Sequence, residues 1–133
     1  MSATGHCLCG NVRFSVPTPL EPATYCHCED CRRCTGSAFN ISVRVPRDDL
    51  TLTGTPPRSY AVTSDGGTTI TRYFCGDCGS PVFTGSDLRP ERFYVKAGLF
   101  DDPAGIVATS QSWTRSAVPW ALIAPDLPGS EGE

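Results

Sequence analysis

Residues 39–45 read Phe-Asn-Ile-Ser-Val-Arg-Val, with an apolar side chain at every second position. Successive side chains of a strand point to opposite faces, so this alternation is typical of a strand with one buried and one exposed face. Apolar alternation or a run of β-branched and aromatic residues marks three more stretches: 12–16, 68–74 and 93–97. The sequence therefore predicts an all-β domain built from many short strands.

Glycine and proline interrupt these strands often, with 13 glycines and 12 prolines in the chain. Ser64-Asp-Gly-Gly67 is typical of a hairpin turn. No stretch of ten or more residues shows a helical period, so helix is expected only in short turns after Cys28 and near residues 46–50. The predicted fold class is thus mainly β with short helical turns.

The length and charge of the chain limit what it can be. Its 133 residues fit one domain, predicted over 1–127, followed by a loose polar tail over 128–133. The longest apolar run, 120–124, is too short to cross a bilayer. The first residues lack the basic and apolar regions of a signal peptide, so a cytoplasmic protein is expected. The net charge of −3 argues against a nucleic-acid partner.

Cysteine is the most informative residue type in this sequence. The chain has eight: Cys7, Cys9, Cys26, Cys28, Cys31, Cys34, Cys75 and Cys78. In a reducing cytoplasm disulfides are rare, and closely spaced cysteines more often bind metal. The spacing therefore favours metal sites over disulfides.

Two close pairs predict a closed metal site. Cys75-Gly-Asp-Cys78 is followed by Gly79, and Cys7-Leu-Cys9 is followed by Gly10. Glycine permits the tight turn that brings two thiolates to one ion. Four thiolates make a closed tetrahedral zinc site of the structural kind. In the plainer interpretation, the N-terminal pair consists of ordinary buried cysteines.

The central segment, residues 25–36, predicts a second site. On an extended chain Cys26 and Cys28 face one way and His27 faces the other. A turn then brings Cys31 to the same ion. Three protein ligands leave a fourth position open, which is typical of catalytic zinc, and a substrate thiol can occupy it.

Several roles remain open in this segment. Cys34 is either a fourth ligand that closes the site or a spare thiol beside it, and the spacing alone does not decide. His27 is either functional or, as we favour, a buried histidine on the opposite side. Arg32 and Arg33 either bind the carboxylates of an anionic substrate or form a solvated basic patch.

Three blocks of the sequence resemble the glutathione-dependent formaldehyde-activating family, which also includes centromere protein V. They are Cys-Leu-Cys-Gly-Asn-Val-Arg-Phe (7–14), Cys-His-Cys-Glu-Asp-Cys-Arg-Arg with Thr-Gly (26–36), and Arg-Tyr-Phe-Cys-Gly-Asp-Cys-Gly-Ser (72–80). Residues 96–103, 112–113, 119–120 and 127–128 are similar as well. The likeness covers nearly the whole chain in the family's order.

The resemblance implies a Mss4-like fold of several small antiparallel sheets organised around zinc. It implies two zinc ions per chain, one structural and one catalytic. The structural ligands would be Cys7, Cys9, Cys75 and Cys78, and the catalytic ligands Cys26, Cys28 and Cys31. The family pattern does not require Cys34, which favours an open catalytic site.

The function predicted from these features is that of a carbon–sulfur lyase or synthase acting on a small-thiol adduct. The resemblance implies that glutathione and formaldehyde form S-hydroxymethylglutathione, so the partners are a small thiol and a small carbonyl compound. Arg32 and Arg33 are the candidate substrate-binding residues. The alternatives are a non-catalytic zinc-binding structural or interaction module, and a redox or metal-buffer role that uses Cys31 and Cys34.

Overall fold

A computed structural model describes residues 1–121 and 127–132, with ten strands and one α-helix in that part of the chain. The strands are β1 (Ser2–His6), β2 (Val12–Pro17), β3 (Ala23–Cys26), β4 (Asn40–Pro46), β5 (Thr51–Gly54), β6 (Arg58–Thr63), β7 (Thr69–Phe74), β8 (Pro81–Ser86), β9 (Arg92–Lys96) and β10 (Ala108–Ser112). Helix α1 (Glu29–Thr35) joins β3 to β4. Short 3-10 helices cover Arg47–Asp49, Ala97–Leu99, Pro103–Gly105 and Thr114–Ser116.

The prediction of a mainly β fold with short helical turns is confirmed. The four predicted strands correspond to β2, β4, β7 and β9, and the two predicted helical turns to α1 and the 3-10 helix at Arg47–Asp49. The predicted hairpin turn joins β6 to β7, where the Gly67 amide donates to the Ser64 carbonyl. Gly67 has φ of +88°, a value that favours glycine.

The strands form a small sheet and a large one. The small sheet has the order β1-β2-β5, and the large sheet has the order β10-β3-β4-β9-β8-β7-β6. Neighbouring strands are antiparallel throughout except β10, which runs parallel to β3. The parallel pair brings residues 108–112 beside the strand that ends at Cys26.

One hydrophobic core receives side chains from both sheets. The alternation in β2 buries Val12, Phe14 and Val16. They belong to one cluster with Val43 and Val45 of β4 and with buried residues of β8 and β9. Two cysteines, Cys7 and Cys75, are fully buried members of the same cluster. A candidate metal site is therefore anchored in the core.

The C-terminal segment makes backbone hydrogen bonds to β10 and the residue that follows it. The Gln111 amide donates to the Pro128 carbonyl, and the Ser130 amide donates to the Gln111 carbonyl. The Trp113 amide donates to the Gly132 carbonyl. The segment thus pairs with β10 through backbone groups, which every residue carries whatever the polarity of its side chain.

The apolar run at 120–124 lies only partly within the described residues. Trp120 is exposed, and residues 122–124 fall outside that part of the chain. Among the described residues, no helix has the length and apolar character needed to cross a bilayer.

Candidate metal centres

The first cysteine cluster joins two distant turns of the chain. Cys7, Cys9, Cys75 and Cys78 place their sulfur atoms within 4.8 Å of one another. The Cys7 and Cys9 sulfurs are 3.6 Å apart, and the Cys9 and Cys75 sulfurs are 3.8 Å apart. Four sulfurs at the usual zinc distance in a tetrahedron would be separated by roughly 3.8 Å. The donor set and its spacing therefore fit a four-coordinate metal ion such as zinc.

The two turns of this cluster have similar local structures. The Gly10 amide donates to the Cys7 carbonyl at 3.0 Å, and the Gly79 amide donates to the Cys75 carbonyl at 2.8 Å. Both glycines have positive φ, +81° for Gly10 and +80° for Gly79. Glycine adopts this conformation without the steric cost that other residues meet. The glycine after each pair thus allows the turn that brings two sulfurs together.

Hydrogen bonds link the two turns and favour the thiolate form of Cys78. The Asn11 side-chain amide donates to the Asp77 carboxylate at 2.8 Å, and the Leu8 amide donates to the Ser80 hydroxyl. The Ser80 hydroxyl and backbone amide lower the pKa of the Cys78 thiol to about 5. A thiolate is the form of cysteine that binds metal.

The second cluster is local in sequence. The sulfurs of Cys26, Cys28 and Cys31 lie within 4.8 Å of one another, and all three residues are half-buried. Cys26 ends β3, and Cys28 is the N-cap of α1, where its sulfur accepts the Cys31 amide at 3.3 Å. Hydrogen bonds with Cys28 and Cys31 lower the pKa of Cys26, and hydrogen bonds with Cys26 and Cys28 raise the pKa of Cys31. These three thiols could hold a metal ion with fewer than four protein ligands.

Cys34 lies outside both clusters. It is exposed on the last turn of α1, one helical turn beyond Cys31. The described residues thus contain one group of four cysteines and one group of three that could bind metal. With Cys34 outside, the second cluster has three cysteines and is consistent with an open site. The role of each cysteine as a metal ligand stays a prediction.

His27 takes the place that the strand pattern predicts. The residue is buried, with 3% of its surface exposed. Nε2 lies 3.0 Å from the Gln111 side-chain oxygen, and the Gln111 amide nitrogen donates to the Leu127 carbonyl. Because the Gln111 amide nitrogen is already directed to Leu127, its oxygen accepts a hydrogen bond from Nε2 of His27. This bond connects the loop between Cys26 and Cys28 to β10 and the C-terminal segment.

The two predicted substrate-binding arginines both lie near Glu29 on α1. The Nε of Arg33 is 3.1 Å from the Glu29 carboxylate, and the Nη2 of Arg32 is 4.0 Å from it. Arg33 also lines a groove beside the helix. A substrate role for either arginine remains a proposal.

The groove beside α1 contains residues that the sequence analysis left without a role. Arg72 and Lys96 line it together with Cys34. Lys96 is the only lysine of the chain, and the sequence pattern places it in a strand and in a stretch similar to the family without giving it a role. Its place near the cysteines depends on the pairing of distant strands, which the sequence does not show directly.

Comparison with known proteins identifies the family. The family model described as glutathione-dependent formaldehyde-activating enzyme matches residues 2–116. A Halomonas elongata protein that carries this name provisionally is 32% identical over 76% of this chain and 67% of its own. A Penicillium rubens protein with the same provisional name is 33% identical over 59% of this chain. That alignment covers 40% of the Penicillium protein, less than half its length.

A solved structure supports the fold. The crystal structure of a Rhodobacter sphaeroides protein matches with a TM-score of 0.62 and 24% identity, over 79% of this chain and 97% of that one. At this identity the likeness concerns the fold alone. Because the family model matches residues 2–116, which is most of the chain, this chain belongs to the glutathione-dependent formaldehyde-activating family.

Proposed function

We propose that the protein is a zinc-dependent carbon–sulfur lyase or synthase acting on the adduct of a small thiol and a small carbonyl compound. Glutathione and formaldehyde, which give S-hydroxymethylglutathione, are the proposed pair. Family membership supports the reaction. The single observation that carries the site assignment is that Cys26, Cys28 and Cys31 converge while Cys34 stays outside. Three ligands leave one position for the substrate sulfur.

We assign the two clusters different roles in this proposal. Each would hold one zinc ion, a structural ion in the four-cysteine cluster and a catalytic ion in the three-cysteine cluster. All eight cysteines are free thiols in the structure. Because metal-binding thiols must stay reduced, we place the protein in a reducing compartment such as the cytoplasm.

The proposed reaction is a balanced addition. The substrate sulfur attacks the carbonyl carbon, a C–S bond forms, the C=O π bond breaks, and the proton lost by the thiol ends on the oxygen. The reverse reaction breaks the C–S bond and releases thiol and aldehyde. Bound zinc supplies a lowered thiol pKa, so that the sulfur is present as thiolate at neutral pH.

In this proposal, neighbouring residues hold the three cysteines and the loop between them in position. The Cys31 amide donates to the Cys28 sulfur, which fixes the first turn of α1 and the direction of both side chains. The His27 contact with Gln111 holds the loop between Cys26 and Cys28 against β10. We further propose that Arg32 and Arg33, which follow on α1, bind a substrate carboxylate.

Cobalt substitution tests the proposal. Cobalt(II) in the three-cysteine cluster gives absorption bands that depend on the ligands, and we expect glutathione to shift them. The Cys28→Ser variant should lose that response and keep the bands of the four-cysteine cluster. An unchanged wild-type spectrum at millimolar glutathione, together with no acceleration of adduct formation by the zinc-loaded protein, would favour the non-catalytic zinc module instead.

A further inference from the structure

A groove of about 380 Å³ lies between α1 and the face of the large sheet. Helix α1 contributes Asp30, Arg33 and Cys34 to its walls. Strands β7 and β9 contribute Arg72 and Lys96. The groove is thus next to the three-cysteine cluster, because Cys31 and Cys34 belong to the same short helix.

Strand register places the two cations of the sheet on one face. Arg72 of β7 lies opposite Thr84 of β8, and Thr84 lies opposite Tyr94 of β9. Side chains of directly opposite residues project from the same face of an antiparallel sheet. Lys96 is two residues beyond Tyr94 and therefore shares that face. Arg72 and Lys96 both point toward the groove that they line.

Lys96 is a buried cation that is bonded to a neutral group. It is 9% exposed, and its Nζ donates to the Asn40 side-chain oxygen. Within the described residues it forms no ion pair. Removing an ammonium ion from water without a counterion is costly. Burial lowers the pKa of Lys96, and the acidic groups that act on it are the thiols of Cys34, Cys31 and Cys26. No carboxylate is paired with it among the described residues, so its ammonium group remains available to an anion that enters the groove.

Arg72 adds a second cation. It is half-buried, and it too lacks an ion pair in the part of the chain that the structure describes. The other charged residues of the groove do not balance these two. Arg33 contacts Glu29 outside the groove, and Asp30 is the only carboxylate in the groove's lining among the described residues. The groove therefore has an excess of positive charge and favours an anion.

The groove is close enough to the three-cysteine cluster for one small molecule to reach both. Cys26 lies opposite Asn40 in the sheet, and Asn40 accepts the Lys96 hydrogen bond. Cys31 and Cys34 are three residues apart on α1, a rise of roughly 5 Å along the helix. A thiol held at the cluster can thus carry a carboxylate that enters the groove.

We infer that this groove binds a carboxylate of the thiol substrate, with Arg72 and Lys96 as the residues that contact it. A low-molecular-mass thiol with a carboxylate group would then be bound in preference to a neutral thiol. The identity of the ligand as the thiol substrate rests on the proposed function. The groove's affinity for carboxylates does not, and it can be measured with a ligand whose sulfur is blocked.

The test is calorimetric titration of the zinc-loaded protein with S-methylglutathione, which has carboxylates but no free thiol. We expect binding, and we expect the dimethyl ester of the same ligand to bind at least about tenfold more weakly, as for loss of a charged hydrogen bond. Arg72→Gln and Lys96→Met should each weaken binding of the acid by a similar factor. Arg89→Gln, at an exposed arginine outside the groove lining, should leave binding unchanged.

Metal content and melting temperature check that each variant is folded. If Lys96→Met, a change at a buried position, does not fold, the binding measured for Arg72→Gln tests the inference alone. Equal affinity for acid and ester, no binding of S-methylglutathione at millimolar concentration, or unchanged affinity in Arg72→Gln would overturn the inference. Titration of the cobalt protein with 2-mercaptoethanol, a thiol without a carboxylate, tests thiol coordination separately. A spectral response to the thiol without selective binding of the acid would support the proposed function and contradict the role of the groove. Selective binding of the acid without a spectral response would support the groove and contradict the proposed function.

Discussion

The two cysteine clusters differ in burial and in the parts of the chain that they connect. The four-cysteine cluster contains the fully buried Cys7 and Cys75 together with the exposed Cys9, and it joins the end of β1 in the small sheet to the end of β7 in the large sheet. The three-cysteine cluster is half-buried, and its residues all come from one short segment between β3 and α1. A metal ion in the first would hold distant elements together, whereas one in the second would organise a single loop.

We propose that the number of thiols and their burial separate a structural role from a catalytic one. Four thiols complete a tetrahedral site and leave no place for a substrate. Three half-buried thiols would leave one position that a small molecule can reach. The four predictions that follow would sharpen or break this contrast.

The largest effect is expected for Cys75→Ser. This variant should lose one zinc ion, and with it about 3 kcal/mol or more of stability and roughly 10–15 °C of melting temperature, because the ion cross-links the core. Metal analysis and thermal unfolding measure both quantities. A variant that keeps its metal and its melting temperature would show that this cluster does not stabilise the fold.

A change in the three-cysteine cluster should affect activity strongly and stability weakly. Cys28→Ser is expected to lose the second zinc ion and to lower the rate of adduct formation by more than about 100-fold. Its melting temperature should fall much less than that of Cys75→Ser, because the loop lies outside the core. Comparable destabilisation by the two variants would remove the distinction between a structural and a catalytic site.

A smaller effect is expected at the turn that follows Cys78. Gly79→Ala forces alanine into a φ of +80°, which should cost about 1 kcal/mol and roughly 3–5 °C in melting temperature. Gly98→Ala is the matched control, because a Cβ at that position meets nothing within 4 Å and its φ is outside the left-handed region. Equal melting temperatures for the two variants would contradict the role assigned to the glycine turn.

The smallest effect concerns the exposed hydrogen bond between Asn11 and Asp77, which joins the two turns of the four-cysteine cluster. Asn11→Ala should cost about 0.5 kcal/mol in urea unfolding. A double-mutant cycle with Asp77→Ala should recover a coupling energy of that order. Zero coupling would mean that the bond adds nothing to the link between the turns.

The sequence anticipates the parts of the fold that depend on local patterns. Apolar alternation locates β2 and β4, and glycine after each cysteine pair locates the two turns of the four-cysteine cluster. The convergence of Cys26, Cys28 and Cys31 also follows from an extended segment and one turn. These features need only a few neighbouring residues to specify them.

The remaining features depend on which strands pair. The parallel pairing of β10 with β3 cannot be inferred from a polar strand such as Ala-Thr-Ser-Gln-Ser. The backbone pairing of the C-terminal segment with Gln111 also cannot be inferred, because that segment has no apolar pattern. The proximity of Arg72 and Lys96 requires the order and register of β7, β8 and β9. The sequence therefore indicates which cysteines come together, but it does not reveal the cationic groove beside them.

The exclusion of Cys34 from the second cluster is the point on which the open site depends. Zinc per chain should be measured on protein purified without chelator or added thiol, for the wild type and for Cys34→Ser. We predict about two zinc ions in both proteins, because three cysteines hold the second ion. Two ions in the wild type and about one in Cys34→Ser would show that Cys34 closes the site, which would contradict the proposed binding of a substrate thiol there.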